Sequence, residues 1–194
     1  MILTIGYSLW KNEKYKLKWR FPQQSELIAA GNFTLLTVAS LFLIFFYVIQ
    51  NQDWLPAMLS NIQLKLDEFG VNSLNKYLCF VLFISVINSL LEELYWRWII
   101  FRGLDITGWH WLGSALFVAF CFAIHHFIVL LKYLEFTNIS WVLFFSLCTS
   151  LGSMVWSWMM RRSGFIWSAW LSHLCIDIAF LALTGWLLWE NNLL

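Results

Sequence analysis

The chain has 194 residues, 61% of them apolar and only 12% charged, with a mean hydropathy of +0.70. Soluble domains lie nearer half apolar and a quarter charged, so this composition is that of an integral membrane protein. A net charge of +1 argues against a nucleic-acid partner, and two prolines with nine glycines leave little linker, so one domain is expected.

Residues 1–26 read as a basic cytoplasmic head, with Lys11, Lys14, Lys16, Lys18 and Arg20 against Glu13 and Glu26. No apolar core of signal-peptide length follows a charged start here, so no cleavable leader is expected. Pro22 ends the head and Ser25 reads as a helix N-cap. Residues 27–194 are expected to form a single all-α membrane bundle. It would comprise about five transmembrane helices and one interfacial amphipathic helix.

The first span, roughly Leu27–Ile49, carries no charge and is long enough to cross a bilayer. In residues 51–76, Leu55, Met58, Leu59, Ile62, Leu66 and Phe69 recur at helical spacing, opposite Ser60, Asn61, Gln63, Lys65, Asp67 and Glu68. That pattern describes an amphipathic helix stopped by Gly70, lying in the interface or covering the bundle.

The second span, roughly Tyr77–Ile100, contains Leu91-Glu92-Glu93-Leu94-Tyr95-Trp96-Arg97 and precedes a short turn with Arg102, Gly103 and Asp105. Three charges at mid-span cost roughly 9 kcal/mol on an insertion scale, and the apolar residues between Leu78 and Ile100 offset only roughly 6. The segment therefore needs neighbours to shelter its polar face, and an intramembrane ionisable cluster is by default a functional-site hypothesis.

A third span lies within Trp109–Leu131 and holds Phe122 and the pair His125-His126. A fourth covers about Trp141–Met160 and closes with Arg161-Arg162-Ser163-Gly164. The fifth covers about Phe165–Trp189, with His173 and Asp177 in its first half. Trp109, Trp111, Trp141, Trp158, Trp167 and Trp189 fall near the proposed ends, where interfacial tryptophan concentrates.

Cys79, Cys121, Cys148 and Cys175 all lie in apolar runs without metal-knuckle spacing and are expected to be small buried thiols. Lys/Arg asymmetry sets the orientation. With the N-terminus inside, the five basic residues of the head join Arg102, Arg161 and Arg162 on the cytoplasmic side, against Lys65, Lys76 and Lys132 outside. The C-terminus would then lie outside, and the compact chain suits a plasma membrane.

Three short patterns carry the possible chemistry. Glu93 and Arg97 are four apart, share a helix face and can pair. Glu92 points about 100° away and can face a cavity. His173 and Asp177 are also four apart on another helix, and His126 sits on a third. A carboxylate–imidazole pair can take a proton from water and return it to a leaving amine. A second imidazole with its partner can hold the oxyanion. The plainer alternative is that these groups satisfy one another and lock the bundle, which the intrahelical Glu93–Arg97 pair alone would suit well. His125 faces about 100° from His126, and His110 reads as an interfacial residue.

These patterns resemble the CAAX protease and bacteriocin-processing (CPBP, or Abi) family of intramembrane endopeptidases, whose prototype is the type II CAAX prenyl endopeptidase. Glu92, Glu93 and Arg97 match its Glu-Glu-x-x-x-Arg motif, Phe122 and His126 its Phe-x-x-x-His motif. His173 matches its His-x-x-x-Asn motif, with Asp177 in place of Asn. The resemblance covers about residues 77–180.

It implies cleavage of a peptide bond in a membrane-associated protein or peptide at the lipid bilayer. Glu92 would be the general base, assisted by His126, and His173 with Asp177 would form the oxyanion site. Glu93, Arg97 and Phe122 would give support. No cofactor is expected. Zinc ranks second, with Glu92, His126, His173 and Asp177 as its ligands, because the chain has no His-Glu-x-x-His motif. The alternative function is a non-catalytic bacteriocin-immunity or membrane scaffold protein of the same fold. A small transporter is a third reading, disfavoured because no internal repeat is seen. The sequence fixes neither the substrate nor the oligomeric state.

One geometric tension remains in this reading. From the expected cytoplasmic ends, Glu92 and His173 lie about 12 Å deep, but His126 lies about 26 Å deep if its span begins at Trp109. Either that span begins nearer Gly113 or the helices tilt.

Overall fold

A computed structural model describes residues 21–133 and 139–193. The basic residues of the head, 1–20, lie outside it. The described residues are helical, without strands, in six consecutive helices. These are α1 (Gln24–Ile49), α2 (Leu55–Glu68), α3 (Leu74–Ile106), α4 (Trp111–Tyr133), α5 (Ile139–Ser163) and α6 (Trp167–Glu190). All but α2 are long and apolar enough to cross a membrane.

Helix α1 begins earlier than Ser25. The Gln23 backbone N–H donates to Glu26 Oε2 at 2.9 Å, so Gln23 is the N-cap and Ser25 lies inside the first turn. Glutamate at the third position thus closes the helix start, as in a capping box. Helix α2 is a packed cover on one end of the bundle. Its Leu55, Leu59 and Leu66 join a buried cluster with Phe45 and Ile49 of α1, Tyr77 of α3, and Leu183 and Leu188 of α6. It stops at Gly70, whose φ of +74° suits a residue without a Cβ.

Helix α3 is longer than its sequence suggests. Arg102, Gly103 and Asp105 do not form a turn: the helix continues to Ile106 and breaks at Gly108, with φ +87°. Within it, π-helical stretches at Phe83–Asn88 and Leu94–Phe101 flank an α-helical turn, Ser89–Glu93, that carries both carboxylates. π-Bulges inside α-helices concentrate at functional sites.

Helices α3 and α6 run antiparallel. Tyr77 Oη donates to the Leu181 carbonyl at 2.7 Å, Trp170 Nε1 to the Val86 carbonyl at 3.2 Å, and Arg102 to the Gly164 carbonyl at 3.4 Å. Helix α1 packs mainly on α6, and α4 on α5. A second apolar cluster (Phe101, Ala115, Val118, Met160, Ile166) fills the end opposite α2, and a third (Phe122, Trp156, Met159, Ala169) fills the middle.

The outer surface is apolar: Leu35, Leu36, Leu147 and Leu151 are each more than 60% exposed. Such a surface belongs in hydrocarbon. The cysteines follow it, against expectation. Cys79, Cys148 and Cys175 are exposed and Cys121 is half-buried. An apolar run in a bilayer faces lipid as readily as protein, so apolar context alone does not bury a thiol.

Candidate active site

The extension of α3 removes the depth tension for two of the three helices. From Ile106, Glu92 lies about 21 Å along the helix, and His126 lies about 22 Å from Trp111. The fifth span simply begins deeper. Gly164 is bonded to Arg102 and His173 to Glu93, nine residues farther along each helix.

The innermost part is a line of three groups. Arg97 and Glu93 are fully buried, with Arg97 Nη1 3.1 Å from Glu93 Oε1. The same oxygen lies 2.9 Å from His173 Nδ1, and His173 is only 5% exposed. A carboxylate accepts and cannot donate, so Nδ1 carries the proton and Nε2 points onward. The Arg97 guanidinium carbon sits 4.8 Å from the Phe122 ring and 5.0 Å from the Trp156 ring, so the charge is also held by two aromatic faces.

Beyond His173 the site opens. Its Nε2 is 3.9 Å from Glu92 Oε2 and 3.7 Å from Asp177 Oδ1, both longer than a hydrogen bond. Glu92 and Asp177 are 17% and 24% exposed, whereas Glu93 is fully sealed, and Glu92 Oε2 is itself buried without a hydrogen-bond partner. Asn88, one turn before Glu92, donates from Nδ2 to Glu92 Oε1 at 2.9 Å. That bond leaves Oε2 as the oxygen toward His173.

His126 is half-buried and hydrogen-bonded through Nδ1 to the Phe122 carbonyl at 3.0 Å. A carbonyl only accepts, so Nδ1 is protonated and Nε2 carries the lone pair. The His126 ring lies 4.3 Å from the Phe122 ring, which in turn lies 6.2 Å from His173. Phe122 therefore neighbours both imidazoles. His125 is exposed and 5.3 Å from His126, ring to ring. His110 is exposed in the turn before α4.

Three motif-bearing helices thus bring Glu92, Glu93, Arg97, Phe122, His126, His173 and Asp177 into one region. Glu93, expected to support Glu92, bonds His173. Among the described residues no three His, Cys, Asp or Glu side chains are grouped as a metal site.

Four contributors escaped the sequence reading: Asn88, Trp156, Ser172 and Thr34. The i to i+4 spacing of Asn88 from Glu92 was a readable signal. Trp156, which stacks on His173 with centroids 4.2 Å apart and planes 15° from parallel, had none, being one of 14 tryptophans. A groove of about 440 Å³ runs between α1 and α6, lined by Leu27, Gly31, Leu35 and Val38, with Thr34 and Ser172.

Neither the curated proteins nor the solved structures searched gave a match. A comparison with protein families matches residues 74–179, more than half of the chain, to the Rce1-like type II CAAX prenyl endopeptidases. The matched stretch runs from the start of α3 to residue 179 in α6, and holds every motif side chain described above. With five apolar spans around that core, the chain is a multi-pass membrane protein and belongs to the Rce1-like type II CAAX prenyl endopeptidase family.

Proposed function

We propose that this protein is an intramembrane endopeptidase that hydrolyses a peptide bond of a membrane-associated protein or peptide, using water activated by Glu92. The family's name adds a prenylated CAAX protein as the first substrate class to try. The observation that carries the reading is the division of labour between adjacent carboxylates. Glu93 is sealed and neutralised by Arg97 and His173, while Glu92 is partly open, oriented by Asn88, and faces His173 Nε2. Two charges stacked only to lock helices would not need that asymmetry.

Glu92 takes a proton from water as the oxygen attacks the scissile carbonyl. His126, with its Nε2 lone pair, assists that transfer. The carbonyl oxygen becomes an oxyanion held by His173 Nε2–H and Asp177. Glu92 then passes the proton to the nitrogen as the C–N bond breaks, releasing amine and carboxylate. With Nδ1–H already given to Glu93, His173 donates from Nε2 as an imidazolium, and the surrounding carboxylates balance its charge. We place the enzyme in the plasma membrane with its N-terminus inside.

The test uses the full chain in lipid nanodiscs with a quenched fluorescent, farnesylated CAAX peptide. Glu92→Gln keeps the shape and removes the base, so the variant is expected to insert and fold but not turn over. Parent-like cleavage by Glu92→Gln would sink the mechanism. No cleavage by the parent of prenylated or unprenylated peptides would favour the scaffold or immunity reading.

A further inference from the structure

Trp156 belongs to none of the three motifs, yet its indole meets both partners of the buried Glu93. It stacks on the His173 ring and lies 5.0 Å from the Arg97 guanidinium carbon. It is itself only 5% exposed, and the Phe122 and Phe33 rings make T-shaped contacts with it, centroids 6.1 and 6.3 Å away. Its Nε1–H donates to Ser172 Oγ at 3.3 Å, and that oxygen also accepts from Thr34 Oγ1 at 3.0 Å. Thr34 lies on α1, outside the family-matched residues.

These contacts address a gap in how His173 is held. The bond from Nδ1 to Glu93 fixes one atom of the imidazole but leaves the ring able to swing about that point. Nε2, the atom that faces Glu92 and Asp177, would sweep through the open side. A flat indole stacked within 15° of the imidazole plane removes that freedom. The indole stays in place only if its own edge is held, and Ser172 and Thr34 hold it. An electron-rich ring face also favours a cationic partner, so the stack favours the imidazolium that the oxyanion step uses.

We propose that Trp156 is a positioning residue for His173, fixed by a hydrogen-bonded relay through Ser172 to Thr34 that ties the first span to the active site. This rests on the hydrolytic role given to His173 above.

The experiment compares the parent with Trp156→Leu, Trp156→Phe, Thr34→Val and Glu92→Gln, all as full chains in nanodiscs with the farnesylated peptide. Trp156→Leu is expected to lower kcat roughly 10- to 100-fold, the scale for a small misplacement of a reacting group, with KM little changed. Trp156→Phe retains a ring face and should recover most of that loss. Thr34→Val keeps both rings and should lower kcat a few-fold.

A second readout is independent of turnover. In histidine-labelled protein, the His173 ring proton, assigned by its loss in His173→Gln, should show the upfield shift of a stacked indole and lose it in Trp156→Leu. Parent-like kcat or an unmoved ring signal in Trp156→Leu overturns the proposal. If that variant fails to accumulate, parent-like kcat and ring signal in Thr34→Val overturn it instead. Cleavage by Glu92→Gln would sink the hydrolytic reading, whatever Trp156 does. An inactive Glu92→Gln beside a parent-like Trp156→Leu would sink the positioning role alone.

Discussion

Asp177 and Glu92 approach the same atom, His173 Nε2, from 3.7 and 3.9 Å, and only one of them can be the base. Asp177 also stands where the family motif has asparagine, whose amide donates two hydrogen bonds; an ionised carboxylate donates none. In the proposed mechanism it would act either as a protonated donor or by balancing a charged His173. Asparagine would still supply a donor here, and alanine would not. Asp177→Asn is expected to keep substantial activity and Asp177→Ala to lose about 10²-fold in kcat, the scale for one oxyanion donor. Parent-like turnover by Asp177→Ala would remove the residue from the oxyanion site. The zinc alternative needs Glu92, His126, His173 and Asp177 to converge on one ion. Activity is expected to survive prolonged chelation, and a loss restored by zinc alone would reverse that ranking. The motif side chains were readable because an ionisable group in hydrocarbon needs a reason. Trp156, Ser172 and Thr34 were not, because an apolar ring or a hydroxyl in a span needs none.

Helix α3 shows what periodicity cannot report. Its apolar run gives a span, but the π-helical stretches before and after Ser89–Glu93 have no sequence signature, and neither does its continuation through Arg102–Ile106. Burial of one charged face against α6 outweighs the regular ladder. Ser89 Oγ donates back to the Ser85 carbonyl where that ladder is rearranged. The close pairing of α3 with α6 depends on Gly185. A Cβ built there would come within 2.5 Å of Tyr77 Cε1, a ring whose hydroxyl is tied to Leu181. Gly185→Ala should therefore destabilise the bundle by about 1–3 kcal/mol, the usual scale for overpacking. Gly31→Ala on α1, where nothing lies within 4 Å, is the control. Thermal unfolding in detergent should show a lowered midpoint for the first variant only. Equal midpoints would mean that the α3–α6 contact is looser than this geometry requires.

At the scale of the whole molecule, the two ends of the bundle differ in charge and in architecture. One end carries Arg102, Asp105, Arg161 and Arg162, where Arg161 Nη1 lies 3.5 Å from Asp105 Oδ1. Arg161 sits over Trp111 and Arg162 over Trp158, guanidinium on indole, a pairing suited to the headgroup level. The other end is covered by α2, whose Lys65 pairs with Glu68 at 3.2 Å and adds little net charge. Counted with the head, the positive-inside rule predicts that the arginine end is cytoplasmic. That expectation rests on the head, which supplies five of the eight basic residues and lies outside the described structure. Without the head, Arg102, Arg161 and Arg162 stand against Lys65, Lys76 and Lys132, three against three, so the spans alone set no direction. Two single-cysteine variants test the predicted orientation. Asp67→Cys lies on the exposed face of α2 and Thr107→Cys in the exposed turn after α3. The native cysteines lie within the apolar spans, away from an aqueous, membrane-impermeant maleimide. In intact cells Asp67→Cys should be labelled from outside, and Thr107→Cys only after the membrane is opened. The reverse pattern would invert the bundle and put the arginine end outside.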